Sequence, residues 1–150
     1  MRAPSVTITE VGSNARDLLA LRYEWHDVSA TDTQFDERFH EWWRSERHHR
    51  RATVALTSEE RPVGMANALI YSRMPSPGRP PARRVHAANV FLSPEFRRQG
   101  IAAALMSELV EHARAEGMVR VVLAPSEMSK PLYRFLGFRV ADDLLRLDLT

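Results

Sequence analysis

One glycine, Gly100, stands between an apolar strand-like run and the most regular amphipathic stretch of the chain, and no other residue constrains the fold more. The run ends at Leu92, Pro94 turns the chain, and a helix then begins at Gly100. Ile101, Leu105, Leu109 and Ala113 recur along one face of that helix, and Gly117 supplies its stop. Residues 119–123 follow as a nearly continuous apolar run, the pattern of a strand buried on both faces. A strand–turn–helix–strand unit therefore lies at the centre of the fold.

The flanking sequence supplies further elements in a mixed order. Residues 6–8 alternate as a short opening strand, and Ser13 or Asn14 is placed to cap a helix running towards Trp25. Asp32 or Thr33 is placed to cap a second helix carrying Phe35, Phe39, Trp42 and Trp43, whose helical spacing predicts that most of them are core. Residues 53–57 and 63–71 read as strands joined by a turn, and residues 85–92 as another after a proline-rich loop at 74–81. A short helix at about 129–136 is stopped by Gly137, and residues 138–140 and 144–149 read as two last strands. The fold expected is α/β with a mixed α+β sheet flanked by helices, in the order β-α-α-β-β-β-α-β-α-β-β. A length of 150 residues fits one domain over 1–150.

Composition removes several classes. There is no cysteine, so disulfide scaffolds, thiolate metal sites and cysteine nucleophiles are excluded. No apolar run approaches the roughly 18 residues of a membrane span, and the first five residues contain no leader core. A soluble, cytoplasmic chain is expected, with no membrane partner. Lys plus Arg is 21 against 19 acids, a net charge of +2, and the acids are interspersed among the bases. That distribution argues against a nucleic-acid partner, which usually meets concentrated basic residues.

The loop before Gly100 asks for an anion. The first turn of a helix presents N–H groups without intrahelical partners, and Gly100, Ala102 and Ala103 allow close approach to them. Arg97 and Arg98 add charge where the helix dipole is already positive, a placement that an anion converts from repulsive to attractive. A Walker loop is excluded because no lysine and hydroxyl follow the glycine, and a dinucleotide fingerprint because Gly100 stands alone.

With Arg97, Gly100 and Ala102 at its three signature positions, the loop resembles that of the GNAT superfamily of acyl-CoA-dependent N-acetyltransferases. Residues 130–138, with Tyr133, Gly137 and Phe138, resemble the same family's tyrosine helix followed by Gly-Phe. One helix and one strand fit between the two matches. The resemblance implies acetyl-CoA as co-substrate and no metal. It places main-chain contacts to the pantetheine arm at Val90, Phe91 and Leu92. It places the pyrophosphate on the loop and helix start, at Arg97, Arg98, Gln99, Gly100, Ile101, Ala102 and Ala103. Ser126 stands where many members carry an asparagine that contacts the cofactor. Tyr133 is implied as general acid to the departing thiolate, because its reference pKa of about 10 exceeds that of a thiol at about 8.5.

The general base is not identified by the resemblance. Several members carry a glutamate on the strand at 119–123, and none is present here. His86, Glu24 and His26 remain as alternatives, as does loss of the amine proton through water; Asn89 cannot take a proton at neutral pH but is placed to hold a water or the acceptor. The acceptor expected is a small-molecule or peptide amine, recognised by the regions that hold Trp25, Trp42, Trp43, Asp142 and Asp143. His40, His48 and His49 lack zinc-helix spacing and read as a solvated basic helix end. A homodimer through an exposed edge strand is compatible with the fold. The missing carboxylate also leaves room for an alternative, a non-catalytic acyl-CoA-binding sensor or interaction module.

Overall fold

Five strands form one sheet in the order β1-β2-β3-β4-β5, comprising β1 (Val6–Glu10), β2 (Arg50–Thr57), β3 (Pro62–Ser72), β4 (Arg83–Leu92) and β5 (Arg120–Leu123). The first four pair antiparallel. β5 runs parallel to β4, because the intervening chain crosses over through α3 (Ile101–Ala115). The other helices are α1 (Arg16–Trp25), α2 (Thr33–Glu46) and α4 (Lys130–Phe135). This computed structural model describes residues 5–150, and the residues at 1–4 that were read for a leader lie outside the described residues. Among the described residues no helix is long and apolar enough to cross a membrane.

Local chemistry accounts for the element ends. Asp32 caps α2, its carboxylate accepting from the Phe35 amide at 3.1 Å. Asn14 accepts from the Arg16 amide at 3.0 Å, one residue before the Ala15 that caps α1. Gly100 caps α3 at φ 84°, a left-handed conformation that glycine adopts without steric cost.

The sheet buries both faces. Leu18 and Leu21 of α1 and Trp43 of α2 pack on Ala52, Val54, Met65 and Phe91. On the other face Met106, Leu109 and Ala113 of α3 meet Ala68, Val85, Ala87 and Tyr133, while Ile101 and Leu105 meet Ala55, Val63 and Ala66. Each large aliphatic side chain so buried contributes about 1.5–3 kcal/mol. Arg51 ties β2 to β1 and to α3, pairing with Glu10 at 3.0 Å and with Glu108.

Three expectations are corrected. Of the α2 aromatics only Trp43 is buried; its indole donates to the Gly12 carbonyl at 2.8 Å, while Phe35, Phe39 and Trp42 are half-buried. Helical spacing reports a shared face but not how deeply that face is covered. β5 is half-buried, not enclosed on both faces, because it is the last strand of the sheet. The two terminal strands at 138–140 and 144–149 do not form: among the described residues none beyond β5 pairs with any strand. Their apolar alternation lacks a ladder partner, and Val140, Leu144, Leu145, Leu147 and Leu149 are all exposed.

Candidate active site

The strand β4 outlasts its neighbour. Its pairing with β5 ends at Ala87 opposite Leu123, whereas its pairing with β3 continues to Leu92 opposite Gly64. Among the described residues the edge facing β5 therefore has no strand partner from Ala88 to Leu92. Val90, Phe91 and Leu92 all lie in this stretch. Trp25 from the end of α1 stacks on Phe91, with centroids 5.1 Å apart and planes 13° from parallel.

The chain leaves β4 through a short 3-10 turn at Pro94–Phe96 and enters α3. Arg97 folds back, its Nε donating to the Leu92 carbonyl at 3.2 Å. Arg98 is exposed with φ 61°. Gln99 donates to the Glu95 carbonyl at 3.2 Å. Beyond Gly100 the amides of Ile101, Ala102 and Ala103 fall in the first helical turn, where no carbonyl precedes them. No acid occupies that turn, no side chain caps it, and a Cβ on Gly100 would meet nothing within 4 Å. An open, positively biased helix start thus adjoins an unpaired strand edge, an arrangement suited to a long ligand with a phosphate at one end and amide groups along its length.

Tyr133 lies on α4, 8% exposed, with Phe138 edge-on at 5.6 Å. It joins the cluster containing Ala87 and Met106, and burial raises its hydroxyl above the ordinary value of 10.0, so the phenol stays protonated at neutral pH. Ser126 sits in the turn after β5, its hydroxyl 3.0 Å from that of Ser129.

A second geometric feature lies on the same strand. Asn67 pairs with Asn89 but Ala68 pairs with Ala87, so Ala88 is an extra residue, a β-bulge. Ala88 and Asn89 consequently both line one cavity of about 440 Å³ under α1 and α2. Arg22, Arg50, Asn67, Phe39 and Trp42 form much of its remaining wall. Asn89 and Trp42 were expected near an acceptor; Arg22, Arg50 and Asn67 were not. His86, Glu24 and His26 are exposed and do not line the cavity. Trp43 belongs to the core, and Asp142 and Asp143 lie exposed in the C-terminal segment.

Residues 15–138 match the acetyltransferase (GNAT) family, a span that includes the splayed strand, the Gly100 helix start and Tyr133. The chain belongs to that family. A curated relative, glucosamine 6-phosphate N-acetyltransferase of Trypanosoma brucei brucei, is 37% identical over 87 residues, 58% of this chain; the match spans 57% of that relative's length. The GNAT fold recurs in solved structures. An acetyltransferase of Trypanosoma brucei superposes with a TM-score of 0.76 at 24% identity, covering 97% of this chain and 100% of the other. A predicted acetyltransferase of Clostridium acetobutylicum, solved with acetyl-CoA, gives 0.73 at 18% identity, covering 96% of each. Glucosamine-6-phosphate N-acetyltransferase of Arabidopsis thaliana gives 0.73 at 17% identity over 97% and 99%.

Proposed function

We propose that this GNAT chain transfers an acetyl group from acetyl-CoA to the primary amine of a small acceptor. The carrying observation is the unpaired β4 edge from Ala88 to Leu92 running directly into the uncapped start of α3. Of Val90, Phe91 and Leu92, the main-chain groups of Val90 and Leu92 face the free edge and suit the pantetheine amides, while Phe91 pairs with Met65 of β3 and the Leu92 carbonyl also accepts from Arg97. The amides at Gly100, Ile101, Ala102 and Ala103 suit the pyrophosphate, with Arg98 beside them; Arg97 and Gln99 shape the loop through their bonds to Leu92 and Glu95. Ser126 borders the same end of β5.

Transfer is direct. The amine nitrogen attacks the thioester carbonyl carbon, a C–N bond forms and the C–S bond breaks. Coenzyme A leaves as a thiolate and takes the proton of the Tyr133 hydroxyl; the proton lost by the amine passes to water. Burial keeps Tyr133 protonated until that moment, so its proton is present for the departing sulfur at neutral pH. Holding both reactants against the sheet supplies orientation that free solution lacks.

Calorimetric titration with acetyl-CoA and coenzyme A, with NAD and ATP as controls, tests the cradle. Selective binding of the two CoA species is expected, followed by thiol release when an amine is added. Binding without thiol release from any amine would favour the acyl-CoA-binding module instead, and no CoA binding would overturn both.

A further inference from the structure

The cavity beside the β4 bulge carries two guanidinium groups and no carboxylate among its lining residues. Arg50 is fixed in place: its guanidinium lies over the Trp42 ring at 5.3 Å, and its side chain is 15% exposed. Glu46 stands 3.8 Å away, at the outer limit of an ion pair. The Nε of Arg50 is buried and has no hydrogen-bond partner. Arg22 is held over Trp25 at 5.0 Å. Asn67 is 5% exposed; it spends its Nδ2 on Asn89 and leaves its Oδ1 buried and unpartnered. Buried polar groups in native proteins are normally satisfied, and both orphans belong to residues that line this cavity, which points to a ligand there.

The charges decide which end of the ligand goes where. Two guanidiniums repel an ammonium and attract an anion, and a planar guanidinium fork matches the oxygens of a phosphate or carboxylate. The Asn67 carbonyl, in contrast, accepts hydrogen bonds and suits an N–H or O–H group. Resting on the acetyl-transfer reading, we infer that the acceptor is an amine bearing an anionic group, its phosphate or carboxylate held by Arg22 and Arg50 and a donor group by Asn67. The same positive field favours the neutral, nucleophilic form of the amine, which accounts for a cavity without a carboxylate base.

The test compares matched pairs that differ only in the anion: glucosamine 6-phosphate against glucosamine, and an amino acid against its amide. Binding of each to the CoA-saturated chain is measured by calorimetry for the unsubstituted protein, Arg50→Gln and Arg22→Gln, with thermal unfolding as a check on folding. At least one anionic member is expected to bind tenfold or more tightly than its partner, and that preference is expected to collapse in a folded arginine variant. Whichever pair shows the preference tells phosphate from carboxylate. Equal binding within both pairs, no binding of either anionic member, or a preference that survives both substitutions would overturn the inference. Failure of the acetyl-transfer reading has a separate signature, loss of CoA binding in the first titration, and binding of the pairs to the CoA-free protein then still reads the cavity.

Discussion

Asn67 donates from Nδ2 to Oδ1 of Asn89 at 2.9 Å across the β3–β4 pair, beside the bulge at Ala88. The two amides join the strand whose outer edge is free to the wall of the cavity. Asn89→Leu would leave both ends of the Asn67 amide without protein partners, at a cost of about 1–3 kcal/mol. Replacing both asparagines by leucine removes the unpaired groups together, so the double variant is expected to be the more stable of the two. Urea unfolding of the single and double variants measures this, and a double variant less stable than Asn89→Leu would contradict it.

Tyr133 gives a prediction in rate and in pH. Tyr133→Phe is expected to lower turnover by roughly 10²-fold or more, the scale of general acid catalysis, with little change in acetyl-CoA affinity. Burial raises the folded pKa above 10.0. The protonated phenol therefore persists through neutrality, and no alkaline fall in rate from this group is expected below that value. The same shift carries a stability sign: the contribution is complete below the unfolded value of 10.0 and is lost as pH rises through the higher folded value. Single-turnover rates against pH provide the check, and unchanged chemistry in the Phe variant would remove Tyr133 as the acid.

Gly100 separates folding from ligand binding. Its φ of 84° costs a side-chain-bearing residue roughly 1–2 kcal/mol, yet a Cβ there meets nothing within 4 Å. Gly100→Ala is thus expected to fold with slightly reduced stability and to keep measurable CoA affinity. Gly100→Glu would set a carboxylate at the helix start proposed for the pyrophosphate, so CoA binding should vanish in a protein that still melts cooperatively. Calorimetry beside thermal melts reads both, and retained affinity in the Glu variant would refute the cradle.

The parts of the site that depend on local pattern were legible in the sequence. Pro94, Gly100 and the apolar face from Ile101 to Ala113 announce the strand–turn–helix because each acts within a few residues. Tyr133 followed by Gly137 and Phe138 was equally readable. The cavity was not. Arg22 and Arg50 are two of many arginines, and nothing near either one marks it as lining a cleft. They line one cavity only because α1 packs on β3, the neighbour of β2, and the bulge that turns Ala88 and Asn89 to the same side appears only in the β3–β4 register. Long-range pairing decided those positions, and period-2 alternation at the C-terminus misled for the same reason, since alternation names a strand without supplying its partner.

The C-terminal segment makes the last prediction. Leu145, Leu147 and Leu149 are 94%, 83% and 88% exposed, alternating with Arg146 and Asp148, whose side chains pair at 3.1 Å. This is the pattern of a strand with one apolar face, and it lies unpaired in a chain whose β5 has a free outer edge. Among the described residues neither has a partner, whereas two copies exchanging these arms would pair each β5 edge with the other's backbone and lay the leucines on one sheet face, under one two-fold axis. Sedimentation across a wide concentration range should therefore reveal a dimer. Leu147→Asp, which places a charge on the apolar face, should shift it towards monomer without unfolding the core, which the arm does not touch. A chain that stays monomeric at every concentration, or a dimer indifferent to Leu147→Asp, would show that these leucines are covered in some other way.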